Sequence, residues 1–225
     1  MKIALINGSP KVKSGASGIL LEDLKAYLGE AEVMEFGFHT GAVTGKEAEA
    51  LHRTDALVFS FPLYVDGIPG HLLSCLAGLE EASVKNREIR VYGIVNCGFF
   101  EGVQAETALQ VLENWCAKAG YVWGSGVGVG GGGALAQMPK TKSGHGPREP
   151  IEKALKVLAD AICAGQMLEN QQTPEIQQAQ ENQYVSVAFP RFLYKLAAQT
   201  GWRQMMKANG GKSRDLSNRP EINEE

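Results

Sequence analysis

The stretch that decides the fold is KIALINGSPK, residues 2–11. Its four consecutive apolar residues indicate a short strand that is buried on both faces. The Gly-Ser-Pro turn ends this strand, and residues 18–28 then carry apolar side chains at helical spacing. The chain therefore begins with a unit of strand, glycine-containing loop and helix.

The same alternation recurs along the chain. Alternating strands and helices are typical of a parallel sheet with right-handed crossovers and with helices on both faces. Five such units predict an α/β, doubly wound, five-stranded parallel sheet with the order 2-1-3-4-5. Further strands are predicted at 32–36, 55–61, 90–96 and 121–123, the last extending to 129 if its glycines belong to the strand. Helices are predicted at 46–53, 68–82, 104–119 and 150–163.

Composition divides the chain into three parts. Residues 1–166 form the predicted sheet domain, residues 167–184 a glutamine-rich polar linker, and residues 185–225 a C-terminal helical extension. Between residues 186 and 212 there are five basic side chains and no acidic one. We expect this amphipathic segment to pack on the chain's own core or on a second subunit, in preference to a membrane surface.

Several classes of function are disfavoured by composition. A net charge of −3 argues against nucleic-acid binding. No run of bulky apolar residues is long enough for stable membrane insertion, and no signal for export is evident, so a cytoplasmic location is expected. The four cysteines and four histidines lack the spacings of metal ligands, so no metal site is predicted.

The loop after the first strand has the composition of a phosphate site. Ligands of doubly wound sheets bind at the carboxyl ends of strands one, three and four. Residues 8–18 combine glycines with the hydroxyls of Ser9, Ser14 and Ser17 and the ammonium of Lys11, at the start of a helix. The Lys-Ser pair of nucleoside-triphosphate loops is absent, which favours a monophosphate. An ordinary turn and helix cap is the alternative.

Two further loops are apolar where a polar surface would be usual. PLYVDGIPG at 62–70 follows strand three, and NCGFFEG at 96–102 follows strand four. A flat aromatic ligand would explain both, with Tyr64 stacked on it and the backbone amides of Leu63 and Tyr64 at its edge. The alternative for the first loop is burial under the next helix. The three loops are expected to converge on one crevice.

On these residues the sequence resembles the flavodoxin-like NAD(P)H-dependent FMN reductases, over roughly residues 1–165. The family often has arginine where Lys11 stands, and its iron–sulfur branch has a close-spaced cysteine cluster that this chain lacks. The resemblance implies that the FMN phosphate is held by Ser9, Lys11, Ser14 and Ser17. It implies that the isoalloxazine ring is held by Pro62, Leu63, Tyr64, Asn96, Gly98 and Phe99.

The resemblance also implies an activity. NAD(P)H would deliver hydride to FMN, and a small-molecule acceptor such as a quinone or free flavin would then take it, with no catalytic side chain required. Cys97 would lie near the ring, where a packing role is favoured over reactivity. A homodimer or a higher homo-oligomer is expected. The alternatives are an electron-carrier flavoprotein with protein redox partners, and a regulatory module whose C-terminal helix binds a partner or membrane.

One glycine motif is not given a nucleotide role. Residues 126–131 match G-x-G-x-x-G, but the match follows the last strand rather than the first, and no helix opens directly after it. We expect residues 124–133 to form a loop beside the flavin, where a nicotinamide or oxidised substrate enters. An ordinary surface loop is the alternative.

Overall fold

The computed structural model describes residues 1–12, 15–82, 88–138, 146–165, 181–212 and 214–215. The chain divides into two compact units, Met1–Ala188 and Phe189–Glu225. The first unit contains the sheet, and the second contains the last helix.

The described residues of the first unit form a six-stranded, parallel sheet with the order β2-β1-β3-β4-β5-β6. The five predicted strands and their doubly wound order are confirmed. The sixth strand was not predicted, because its three residues, QYV, are too few to show a periodicity. The strands are β1 Lys2–Asn7, β2 Glu32–Gly37, β3 Ala56–Pro62, β4 Arg90–Asn96, β5 Val122–Val129 and β6 Gln183–Val185.

The predicted helices are also found, with ends shifted by a few residues. The segment predicted as one helix from residue 104 begins as a 3-10 turn at Gly102–Ala105. The α-helices of the first unit are α1 Ala16–Lys25, α2 Gly45–Leu51, α3 Gly70–Glu81, α4 Glu106–Ala119 and α5 Glu149–Ala164.

The core lies between the sheet and the layer formed by α2, α3 and α4. The β3 side chains Phe59 and Phe61 are fully buried there, and the Phe59 ring meets Trp115 of α4 edge to face, with centroids 5.9 Å apart. On the other side of the sheet, α1 contacts α5. A buried ion pair between Asp23 of α1 and Arg148, which precedes α5, joins these two helices. Both faces of the sheet are therefore covered, as parallel strands require.

The glycine run at 124–133 corrects one prediction. Residues 124–129 belong to β5 rather than to a loop. A Cβ added at Gly126 would lie 2.5 Å from Leu109 of α4, and one added at Gly128 would lie 2.6 Å from the carbonyl oxygen of Gly102. The absence of side chains thus lets α4 and its leading turn approach the strand closely. The expected loop is restricted to Gly130 and Gly131, because a 3-10 helix, Gly132–Gln137, begins directly after them.

The second unit contains α6, Arg191–Ala208. None of the 18 residues of α6 is buried. Packing of this segment on the chain's own core or on a second subunit stays a prediction. Among the described residues, no helix has the length and hydropathy needed to cross a membrane.

Candidate functional site

The loops after β1, β3 and β4 are joined at one edge of the sheet. The Gly8 amide donates to the carbonyl oxygen of Ser60 at 2.8 Å, and the Leu63 amide donates to that of Asn96 at 2.8 Å. Because all three strands run in parallel, their carboxyl ends meet here. This edge is the topological switch point at which doubly wound sheets bind ligands.

The first loop is ordered by its own side chains. Asn7 Oδ1 accepts the amide of Ser9 at 3.1 Å, and Ser9 Oγ accepts the amide of Lys11 at 3.2 Å. Ser9 is buried whereas Lys11 is exposed. The loop therefore presents the Lys11 side chain to solvent and keeps the Ser9 hydroxyl as a structural acceptor. Ser14, the remaining loop residue predicted to bind phosphate, lies outside the described residues.

Helix α1 opens from this loop without a side-chain cap. Its N-cap residue is Gly15, in extended conformation, which has no side chain to accept from the first turn, and among the described residues no side-chain cap is found. The first amides of a helix have no intrahelical partner, and they carry the positive end of the helix dipole. The start of α1 is therefore suited to an anion, in agreement with the predicted phosphate position.

Ser17 and Asn96 are brought together, but they contact each other. Asn96 Nδ2 donates to Ser17 Oγ at 2.8 Å and to the carbonyl oxygen of Phe61 at 3.1 Å, and both side chains are buried. The Asn96 amide thereby ties β4 to α1 and β3. The Ser17 hydroxyl still has its own hydrogen to donate, because in this contact it acts as acceptor.

Two histidines that sequence reasoning missed support the same loop. His39 Nδ1 lies 2.6 Å from the carbonyl oxygen of Ser9, and His71 Nε2 lies 3.1 Å from that of Gly8. A carbonyl can only accept, so each ring nitrogen carries the proton in these bonds. His39 follows β2, and His71 is the second residue of α3. The signal that was available is that His71 comes directly after the predicted loop 62–70, whereas His39 comes shortly after the predicted strand 32–36.

The loop after β3 is a strained hairpin. Tyr64 and Gly67 exchange two backbone hydrogen bonds of 3.1 Å, and the two residues between them, Val65 and Asp66, have φ values of 49° and 57°. This is the geometry of a type I′ turn, which a β-branched residue such as Val65 adopts only under strain. The Tyr64 side chain is 47% exposed. The hairpin thus holds an aromatic side chain in solvent at the sheet edge.

The backbone amides of Leu63 and Tyr64, which we expected at the edge of the ligand, form hydrogen bonds within the protein instead. The amide of Leu63 donates to Asn96 and that of Tyr64 donates to Gly67. Both donors are already used within the protein, so they are not available to the edge of a ligand. Pro62 and Leu63 are half-buried, and their contribution to a binding surface is limited to their side chains.

The loop after β4 offers a second exposed aromatic side chain. Phe99 is 53% exposed, and a Cβ added at Gly98 would meet nothing within 4 Å. Cys97, the first residue after β4, is buried. Its sulfur lies 3.7 Å from the carbonyl oxygens of Phe99 and Glu101. Burial raises the pKa of the Cys97 thiol, which keeps it protonated. The buried position of Cys97 supports the packing role that the sequence favours, which stays a prediction.

A groove of about 680 Å³ runs beside α1 over β1 and β2. It shares the first loop with the predicted site but contains none of Tyr64, Asn96 and Phe99. The Lys25–Glu35 ion pair lies along it. Its lining residues are Leu5, Asn7, Val12, Gly15, Gly18, Ile19, Leu21, Glu22, Lys25, Glu35 and Phe36.

Comparison with known proteins finds likeness in structure alone. No family model and no curated protein matches the chain. The structure is similar to the Streptococcus pneumonia TIGR4 flavodoxin, with 12% identity and a TM-score of 0.52, over 73% of this chain and 99% of that one. It is similar to a short-chain flavodoxin associated with a PDU bacterial microcompartment, with 14% identity and a TM-score of 0.52, over 73% and 99%.

A third similar structure is an NAD(P)H:quinone oxidoreductase from Methanothermobacter marburgensis. It is 17% identical, with a TM-score of 0.50, over 77% of this chain and 98% of that one. At such identities the likeness concerns the course of the backbone. Together with the observed strand order, it establishes that the chain has the flavodoxin-like fold.

Proposed function

We propose that the chain is an FMN-dependent oxidoreductase that passes hydride from NAD(P)H through bound FMN to a small-molecule acceptor such as a quinone or free flavin. The observation that carries the proposal is the meeting, at one sheet edge, of an uncapped helix start with two exposed aromatic side chains. An anion site beside a flat apolar surface matches a phosphorylated aromatic cofactor.

The residues present fit the phosphate end of FMN. The first turn of α1 offers backbone amides that no side chain of the described residues caps. Lys11 is exposed beside it, and the buried Ser17 hydroxyl retains a hydrogen to donate. Ser9 and Asn7 hold the loop that positions these groups. In this proposal the Lys11 ammonium balances the negative charge of the phosphate, and the α1 amides donate hydrogen bonds that orient it. The hydroxyl of Ser14 is a further donor to the phosphate.

The residues at the other two loops fit the ring end. Tyr64 and Phe99 are the exposed aromatic side chains, and the open space at Gly98 lets a flat group approach the backbone. Bound FMN supplies the hydride-accepting chemistry. The task of the chain's own side chains is then to bind and orient, which agrees with Cys97 being held protonated and buried.

A redox titration tests the proposal. The purified protein is loaded with FMN under anaerobic conditions, and NADH or NADPH is added while flavin absorbance is followed. Bleaching by at least one nucleotide, with reoxidation by a quinone, is the expected result. A protein that retains no FMN would overturn the cofactor assignment, and FMN that stays oxidised with both nucleotides would overturn the reductase activity.

A matched pair of variants locates the site. Tyr64→Ala removes an exposed aromatic side chain from the proposed ring position, and Tyr27→Ala removes one beyond the end of α1. Loss of ring stacking should weaken FMN binding about tenfold in Tyr64→Ala. Tyr27→Ala should bind FMN as the unchanged protein does. Equal affinities of the two variants for FMN would show that the flavin ring does not bind at the hairpin.

An electron carrier is the second candidate. Two of the similar structures are described as flavodoxins, and the chain outside residues 186–212 has a net charge of −8, which would suit docking to a basic protein partner. The same titration separates the two functions. A carrier would keep its FMN oxidised in the presence of either nucleotide and would accept electrons from a reductase protein.

A further inference from the structure

Helix α6 presents a face that carries both bulky apolar and basic side chains. At 3.6 residues per turn, residues 192, 196, 203 and 207 form one row along the helix, and residues 191, 195 and 202 form the adjacent row. The apolar members are Phe192, Leu196 and Trp202, which are 69%, 60% and 60% exposed. We call these seven residues the basic–aromatic face.

The basic members are Arg191, Lys195, Arg203 and Lys207, and all four are exposed. No acidic residue occurs in α6 or anywhere between residues 186 and 212. Within the part of the chain that the structure describes, Lys195, Arg203 and Lys207 form no ion pair. The face is therefore positively charged along the whole helix, and its charge is not neutralised by this helix.

We propose that the basic–aromatic face binds the surface of an anionic phospholipid bilayer. Tryptophan and phenylalanine prefer the headgroup level, where their rings are partly shielded from water. Lysine and arginine beside them extend along the apolar surface and reach lipid phosphates with their charged ends. A helix that lies in the plane of the interface needs no membrane-spanning length.

The composition of the face favours a bilayer over a protein surface. Lysine is depleted at protein interfaces, whereas this face places Lys195 directly beside Phe192, Leu196 and Trp202. A bilayer surface accommodates both kinds of side chain, because apolar side chains lie at the acyl boundary while charged ends stay among the lipid headgroups. This proposal is independent of the flavin chemistry, because it rests on α6 alone.

Vesicle binding by the full chain tests the proposal. The protein is sedimented with vesicles of phosphatidylcholine and phosphatidylglycerol, and separately with vesicles of phosphatidylcholine alone. Binding to the anionic vesicles, weakened by added salt, is expected, with little binding to the neutral ones. Failure to sediment with the anionic vesicles, or equal binding to both kinds, would overturn it.

Charge-reversal variants identify the face. Lys195→Glu with Arg203→Glu should weaken binding to anionic vesicles by at least about 30-fold, because each basic residue contributes roughly a factor of five. The control is Lys46→Glu with Lys156→Glu, which makes the same change of charge at exposed positions of α2 and α5. The control should bind almost as the unchanged protein does. Equal losses in both double variants would overturn the assignment to α6.

Two more measurements separate lipid binding from self-association. Brominated lipids should quench tryptophan fluorescence in the unchanged protein but much less in Trp202→Phe, since Trp115 is buried and the half-buried Trp123 packs against the core of the first unit. Sedimentation equilibrium of the charge-reversal variant, without lipid, reports self-association. If the reversal converts a dimer to a monomer while vesicle binding is absent from the unchanged protein, the face belongs to a second copy and the proposal is wrong.

Discussion

Asn96 at the end of β4 donates its side-chain amide to the hydroxyl of Ser17 in α1, 79 positions away in sequence and 2.8 Å away in space. Both side chains are buried, so water cannot replace either partner. The bond fixes the helix that opens from the proposed phosphate loop against the strand that leads to Phe99. The bond thereby holds the proposed phosphate region and the proposed ring region of the site at a constant separation.

Removal of this bond should cost stability. Ser17→Ala leaves one N–H of Asn96 without its acceptor in a buried position, and the free energy of unfolding should fall by about 1–3 kcal/mol. Urea unfolding measures the change. Ser74→Ala removes an exposed hydroxyl that donates to Gly70 at 3.2 Å, and should change stability by less than about 0.5 kcal/mol. Similar losses in the two variants would contradict the role given to Ser17.

Loss of the histidine contact should weaken FMN binding. His39→Leu removes the donor to the Ser9 carbonyl and frees the loop, so the Kd for FMN should rise about tenfold. Fluorescence quenching of FMN on binding measures it. His52→Leu is the control, because that half-buried histidine contacts the hydroxyl of Tyr121 instead. A Kd raised equally in the control would show a general loss of stability.

The strain in the β3 hairpin should be removable. Val65→Asn with Asp66→Gly installs the residue pair that type I′ turns prefer, and the free energy of unfolding should rise by about 1–2 kcal/mol. Denaturant unfolding reports the gain. The single change Val12→Asn, at an exposed position of the first loop, should give no such gain. A double variant no more stable than the parent would mean that Val65 carries no strain.

Glycine is required at residue 102 by close backbone packing. A Cβ there would lie 2.3 Å from the carbonyl oxygen of Val185 in β6, so Gly102→Ala should destabilise the protein by about 2–4 kcal/mol. Gly78→Ala, in α3 with nothing within 4 Å of its added Cβ, should be neutral or stabilising by up to about 1 kcal/mol. Thermal unfolding of the pair separates steric packing from backbone entropy.

Alkaline pH should destabilise the protein through Tyr92. Burial raises the pKa of Tyr92 to about 12, from the ordinary value of 10.0. The folded state therefore keeps a proton that the unfolded state releases, so this contribution is complete below pH 10 and is lost as pH rises to about 12. The loss should reach roughly 2–3 kcal/mol. In Tyr92→Phe the free energy of unfolding should depend less on pH between pH 10 and about 12. An unchanged pH dependence would show that Tyr92 is not the cause of the loss.

Local sequence patterns were sufficient for β1 to β5 and for the convergence of three loops. Apolar runs such as residues 3–6 mark buried strands, and parallel topology then brings their carboxyl ends together. The contacts of His39 and His71 were not predictable in this way, because they join residues 30 and 63 positions apart. They depend on the tertiary placement of α3 and of the residues after β2.

Two other features escaped prediction for different reasons. The Asp66-Gly67 pair is a turn signal, but the residues with positive φ are Val65 and Asp66, one position earlier. Hydrogen bonding between Tyr64 and Gly67 fixes that register against local preference. Composition places Gly124, Gly126 and Gly128 in a loop, whereas the structure has them in β5. There Gly124 packs closely against the ring of Tyr92, and Gly126 and Gly128 against α4 and its leading turn.

The sixth strand has a consequence for self-association. β5 is rich in glycine and presents little side-chain surface to discourage an incoming chain, and β6 pairs with it through Val127, Gly128 and Val129. A chain shortened before residue 181 would leave this edge open, and exposed sheet edges are templates for intermolecular pairing. Because β6 has only three residues, it pairs with part of β5 and itself offers a short edge to other chains. Any shortened form intended for crystallisation should therefore retain β6.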